Sequence, residues 1–319
     1  MLDTGPARLT PVSTPPTSVA APQPPHTIFR GPNGLRAGWR VLIFLALLFG
    51  MAAGVFVVRH WLRHGHPRGT PGVVTPLQEF LDDGLLFLIT AIAAFIMARL
   101  ERRPFAQYGL PVKFAFRRNF WVGAAIGFLA ISVTLLCIFA LHGFRLTGLA
   151  IHGATIASAF AAWAAATIMV GLFEEFAFRG YLQFTLATGV GFWPAALLLS
   201  ALFGLAHGAN PGESKIGLLA VICYGPMLCL FLRRTGDLWW AVGFHAGYDW
   251  GESFFYGAPD SGVLPYHNLF NSTIHGPAWL TGGTVGPEAS VFTPIVLVLV
   301  AIVFSQVYRE VRYRPLSKA

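Results

Sequence analysis

The chain has 319 residues, 55% of them hydrophobic and 11% charged, with a formal net charge of +8. Soluble domains carry about 25% charged residues, so the composition excludes an ordinary globular domain and predicts an all-α, polytopic membrane bundle. In that class the basic excess reports topology first, and no basic groove with interleaved aromatics argues for nucleic-acid binding.

Residues 1–35 hold eight prolines and little apolar content. Such a stretch cannot bury enough surface to order itself and is expected to be a disordered, Pro-rich cytosolic tail. It lacks the short apolar core and small-residue cleavage site of a secretory signal, so the first span is expected to act as an uncleaved anchor. Residues 36–319 then form the integral membrane domain. A span needs about 20 mostly apolar residues, and eight segments qualify, near 38–58, 80–99, 119–142, 155–186, 192–209, 215–232, 238–256 and 290–309. No internal repeat is evident, which disfavours an inverted-repeat transporter.

Lys and Arg placement predicts the orientation. Arg8, Arg30, Arg36 and Arg40 lie in the tail and at the start of the first span, Arg99 to Arg118 at the end of the second and in the connection after it, Arg233 and Arg234 follow the sixth, and Arg309 to Lys318 close the chain. Eight spans with both termini in the cytosol put all four groups on one side. Arg59, Arg63, Arg68, Arg145 and Lys215 fall opposite, and the first loop, with His60, His64 and His66, fits least well. The connection 257–289 has no Lys or Arg and is rich in Gly and Pro, which suits an outer-face loop capping the helix ends. Cys137, Cys223 and Cys229 sit in apolar segments and read as small core residues, without a disulfide framework or a Cys-based zinc site. Asp82 and Asp83 read as acids suited to a helix start, and Trp61, Trp121 and Trp239 as interfacial anchors.

The fourth span contains Glu174, Glu175 and Arg179, and ionised groups in hydrocarbon mark function by default. Glu175 and Arg179 are four apart on one helix face and can pair; Glu174 lies about 100° around and is free to enter a cavity. Phe203 with His207, and His245 with Asp249, repeat the four-residue spacing in the fifth and seventh spans. Counted at 1.5 Å per residue from the turn near 188–191, Glu174 lies roughly 18–20 Å up one helix and His207 roughly 20–22 Å up the next. From the same side His245 lies roughly 12 Å and Asp249 roughly 18 Å in, so three segments bring acid and imidazole to one layer.

Such a cluster suits hydrolysis in two ways. Glu174, His207, His245 or Asp249 can hold a zinc ion with one position open for water. Without metal, Glu174 and His207 can act as general bases while His245 and Asp249 stabilise the oxyanion or position the substrate. Taken singly, each polar residue reads as helix-gluing packing; taken together they favour catalysis. Glu175 with Arg179 reads as a structural ion pair and Phe203 as a cavity wall.

Glu174-Glu175-x-x-x-Arg179, Phe203-x-x-x-His207 and His245-x-x-x-Asp249, in this order on hydrophobic helices, resemble the three motifs of the CPBP family of CAAX- and bacteriocin-processing intramembrane endopeptidases, also called the Abi or type II CAAX prenyl endopeptidase family. The similarity spans about residues 80–256. It implies an all-helical membrane peptidase whose site opens to the cytosolic side. It implies that Glu174 activates water with His207, that His245 and Asp249 complete the site, and that no cofactor other than zinc is involved. It also implies a membrane-associated protein or peptide as substrate, lipid-modified in some relatives, and a bacterial plasma membrane as location. The chain departs from the eukaryotic CAAX enzymes by carrying Asp249 where they have Asn. The rivals from other classes are a non-catalytic membrane scaffold or immunity-type protein, and a transporter using the cluster as a proton relay.

Overall fold

The computed structural model describes residues 27–31, 34–62 and 72–316. In chain order its helices are α1 (Ala37–Leu62), α2 (Pro76–Leu100), α3 (Arg118–Ala140), α4 (Ala154–Arg179), α5 (Tyr181–Val190), α6 (Phe192–His207), α7 (Lys215–Thr235), α8 (Trp239–Asp249), α9 (Ala278–Thr281) and α10 (Phe292–Val307). The chain is an all-α, polytopic membrane bundle. Among the described residues five stretches are long and apolar enough to cross a bilayer: Ala37–Trp61, Pro76–Leu100, Arg118–Ala140, Ala154–Val190 and Lys215–Thr235. α6 and α10 are apolar but shorter.

Every sequence-derived span coincides with helix, with one correction. The segment 155–186 is not one straight helix but breaks at Gly180 into α4 and α5. Gly180 has φ −83° and ψ −121°, off the helical region, and a β-carbon there would overlap the Phe176 carbonyl and ring. The distances counted along an unbroken fourth helix therefore do not apply as drawn. The break turns α5 back so that its Tyr181 stacks on Phe44 of α1, with ring centroids 4.6 Å apart.

Local chemistry sets the other boundaries. Thr75 caps α2, its hydroxyl accepting from Gln78 N at 3.2 Å, with Pro76 at the first helical position. Ser214 caps α7 in the same way, accepting from Gly217 N at 2.9 Å, and Gly236, with φ 84°, ends it in the left-handed region. α8 runs directly into a π-helical turn, Trp250–Phe255. Such turns are rare and are frequent at functional sites.

α1 lies outermost and exposes Leu42, Phe49, Phe56 and Val58. In a bilayer this apolar face is solvated by lipid, so the helices associate through close packing instead of apolar burial. The tightest seam joins α3 to α8. Gly123 and Gly127 of α3 meet the backbone of Trp240 and Phe244, while Gly243 and Gly247 of α8 meet Phe120 and Ala124. A β-carbon at any of the four would overlap a backbone oxygen of the facing helix.

The connection 257–289 forms an organised cap. Its strand Phe270–Ile274 pairs antiparallel with Phe144–Leu149, which follows α3, and Leu264–Pro265 pairs parallel with Val73–Val74 before α2. Two further expectations need correction. Within the stretch expected to be disordered, Arg30–Gly31 and Gly34–Leu35 form a short antiparallel ladder, and Trp39 Nε1 donates to Ile28 O at 3.1 Å. Residues 1–26, the rest of that expected tail, lie outside the described residues, as do His64 and His66. Trp61 and Trp121 are exposed as interfacial anchors should be, but Trp239 is buried, its indole N–H donating to Pro111 O at 3.0 Å.

Candidate active site

α4 presents its acidic pair to two environments. The Glu175 side chain is fully buried, whereas Glu174 keeps 20% of its side-chain surface open to a cavity of about 280 Å³. His207, at the last residue of α6, and His245 and Asp249 of α8 line the same cavity. α4 and α8 approach closely at Gly171, where a β-carbon would stand 3.0 Å from Val242 O and 3.4 Å from His245 Cβ. That approach holds the His245 ring against both glutamates.

His245 is the hub. Its Nδ1 lies 2.9 Å from Glu175 Oε1, and its Nε2 lies 3.5 Å from Glu174 Oε2 and 3.6 Å from Asp249 Oδ2. Glu175 Oε1 is also 3.4 Å from Arg179 Nη1, which makes the expected four-residue ion pair. The buried carboxylate thus fixes the ring and its Nδ1 proton, leaving Nε2 to face the cavity acids. His207 is fixed from its own helix: Nδ1 donates to Phe203 O at 3.0 Å, so Nε2 is the basic nitrogen of the neutral ring. Phe203 does more than wall the cavity. Its ring centroid is 4.4 Å from that of His207 and 4.4 Å from the Arg179 guanidinium carbon, so it joins the imidazole to the ion pair.

The donor set permits a partial fit to zinc. In a tetrahedral site ligand atoms stand roughly 3.3–3.6 Å apart, close to the 3.5 and 3.6 Å from His245 Nε2 to Glu174 and Asp249. Those are pairs. Among the described residues the three ligand atoms that all close within 4.8 Å belong to Glu252, Asp260 and Glu288 instead. As placed, Glu174, His207, His245 and Asp249 do not form a closed metal site.

Residues 155–251 match the family model described as Rce1-like, type II CAAX prenyl endopeptidase Rce1-like. This segment belongs to the CPBP/CAAX protease family. No curated protein matches the chain as a relative. All seven residues singled out from the sequence, Glu174, Glu175, Arg179, Phe203, His207, His245 and Asp249, fall inside the CAAX-protease segment. The long apolar helices make the chain an integral membrane protein, and the family that residues 155–251 match is one of proteases, whose substrates are peptides or proteins in the membrane.

The cavity also takes residues from outside the matched segment. Glu79 and Asp83 of α2, and Asp260 and Glu288 of the cap, line it. Asp82 and Asp83 therefore correct the reading as helix-start acids. α2 begins at Pro76, Asp82 pairs with Arg59 of α1, and Asp83 faces the cavity. The spacing Glu79-x-x-x-Asp83 was the available signal, since it puts both acids on one helix face. Nothing local marked Asp260 or Glu288, because a cap folded from distant chain supplies them. Tyr224 of α7 also escaped notice. Its ring stands 5.3 Å from that of His245, and its buried hydroxyl has no hydrogen-bond partner. Burial pushes the Asp260 carboxyl up against the opposing hydrogen bond from Ser253, and it pushes Glu288 well up, with the charge of Asp260 adding to the effect.

Proposed function

We propose that the chain is an intramembrane endopeptidase that hydrolyses a peptide bond of a membrane-associated protein or peptide, including lipid-modified ones. Glu174 and His207 activate the water. The observation that carries this reading is the shared cavity. Glu174 reaches it with exposed carboxylate surface, and His207, His245 and Asp249 line it. Neighbouring Glu175 is withdrawn from it to hold His245.

In the proposed reaction a water oxygen attacks the scissile carbonyl carbon while Glu174, assisted by His207 Nε2, accepts the proton. Protonated His245, braced at Nδ1 by Glu175, donates from Nε2 toward the developing oxyanion. Asp249, four residues along α8, holds that imidazole on its cavity side. The carbon–nitrogen bond then breaks, and the proton taken by Glu174 passes to the leaving amine. This assignment uses protein groups alone. The same proposal places the termini in the cytosol and the protein in a bacterial plasma membrane, on the Lys and Arg distribution and the family.

The test is comparative proteomics of membranes holding the wild-type chain, Glu174→Ala or His207→Ala, followed by cleavage of the identified substrate with purified protein. Each variant is expected to lose at least about a hundredfold in kcat, the scale of a lost general base. Cleavage at the wild-type rate by both variants overturns the proposal, and uptake driven by a pH gradient turns it toward a transporter. Elemental analysis reads the zinc alternative. One zinc per chain that survives chelator washing and disappears in His245→Ala overturns the metal-free assignment.

A further inference from the structure

Outside the matched segment, at the wall of the cavity, three carboxylates from two parts of the chain converge. Glu252 lies in the π-helical turn that ends α8, while Asp260 and Glu288 belong to the cap. One oxygen from each lies within 4.8 Å of the other two. Three acids this close cannot all be ionised without a positive partner, and the connection 257–289 contains no Lys or Arg to supply one.

Each acid is held from outside the cluster or by its neighbour. Asp260 Oδ2 accepts from Ser253 Oγ at 2.9 Å. Glu288 Oε1 accepts from the backbone N–H and the hydroxyl of Ser261, at 3.0 and 3.2 Å. Glu252 Oε1 takes the Glu288 N–H at 3.4 Å. The second oxygen of Glu252 is different: the residue is fully buried, and Oε2 has no hydrogen-bond partner. A buried carboxylate oxygen without a partner is costly, and a bound cation would relieve that cost.

We propose that Glu252, Asp260 and Glu288 bind a divalent cation, Ca²⁺ by chemistry, and that this ion fastens the cap to the end of α8. An all-oxygen donor set selects hard cations over zinc. Calcium accepts irregular geometry at about 2.3–2.6 Å from each oxygen and completes its shell with carbonyls and water. Donors from a loop and a π-turn suit it better than the octahedron Mg²⁺ requires. The Pro259 carbonyl and Glu252 Oε1 both face the bare α-carbon of Gly286, so main-chain oxygen is at hand. Because Glu252 follows Asp249 by three residues, an ion there steadies the helix that carries His245 and Asp249. Asp260 and Glu288 also line the cavity of the motif residues, but the ion's ligands are other residues than Glu174 and His207, and the proposal does not depend on the peptidase assignment.

The test uses the full chain in detergent, stripped with chelator and titrated with CaCl₂ while thermal unfolding and Tb³⁺ luminescence are recorded. The wild type is expected to show a saturable rise in Tm and calcium-displaceable Tb³⁺ emission. Glu252→Gln and Glu288→Gln are each expected to weaken binding by tenfold or more, and Glu174→Gln to leave it unchanged. Glu288→Gln guards against a folding defect at the more deeply buried Glu252. A wild type without a saturable shift at millimolar calcium overturns the proposal, as does an unchanged affinity in both Glu252→Gln and Glu288→Gln. A loss of binding in Glu174→Gln would instead move the ion to the motif residues, and a response to MgCl₂ alone would replace calcium by magnesium.

Discussion

Glu175 Oε1, itself sealed from solvent, serves an imidazole at 2.9 Å and a guanidinium at 3.4 Å. Removing one partner of such a buried pair leaves a charge uncompensated, which costs about 3–5 kcal/mol. Glu175→Ala is therefore expected to lower Tm in detergent sharply, and Glu175→Ala with Arg179→Met to recover much of the loss. A double variant as unstable as the single would show that the ion pair is not the source. A second residue-scale effect is pH-dependent. Asp237, in the turn between α7 and α8, accepts from Trp239 N at 3.0 Å, and burial raises its pKa to about 6. A carboxyl raised on folding leaves stability intact below its unfolded value and erodes it as pH climbs through the folded one. Asp237→Asn keeps an acceptor for Trp239 and cannot ionise. Its Tm advantage should be absent near pH 4, grow to about pH 6–7 and then level off, worth up to about 3 kcal/mol. A difference constant with pH would refute the ionisation argument. At this scale the motif residues were legible because helical spacing determines which side chains share a face. Glu175 as the brace of His245 was not legible, since that contact spans 70 positions of sequence.

Among the elements, α8 carries two of the seven motif residues, His245 and Asp249, and its approach to α3 is set by four glycines. Gly123 and Gly127 on α3, and Gly243 and Gly247 on α8, form two small-xxx-small pairs facing each other across the seam. Gly127→Ala puts a methyl group into the Phe244 carbonyl. It should cost about 1–3 kcal/mol by overpacking and reduce turnover by displacing His245. Gly54→Ala, in α1 where nothing lies within 4 Å, is the matched control and should leave both properties unchanged or slightly improve Tm. Equal effects at the two positions would mean the loss reflects glycine chemistry in general and not the seam. The helices themselves were readable from apolar runs, because length and composition suffice for a helix in lipid. The break at Gly180 was not, since an isolated glycine is tolerated inside a helix and its local backbone angles are selected by packing of α5 against α1.

For the whole molecule, the cap controls the ceiling of the cavity. The ladder between Phe144–Leu149 and Phe270–Ile274 ties it to the end of α3, and Leu264–Pro265 ties it to the approach to α2. Leu146 and Ser272 face each other in the antiparallel ladder, within the range a disulfide can bridge. If substrate enters past the cap, the Leu146→Cys, Ser272→Cys protein should turn over substrate several-fold more slowly when oxidised and recover with reductant. Equal turnover in both redox states would mean that substrate reaches the cavity between helices. By itself the sequence determined that the chain is membrane-embedded, which stretches are helical, and which acids and histidines share a face, since these follow from local composition and a fixed helical period. Only the tertiary structure decided that Glu174 opens to the cavity while Glu175 is sealed behind it. It alone decided that Asp83 joins the site and that Asp260 and Glu288 arrive from a cap. Each of these depends on contacts between segments far apart in the chain, and helix packing in lipid is governed by shape, which no local periodicity encodes.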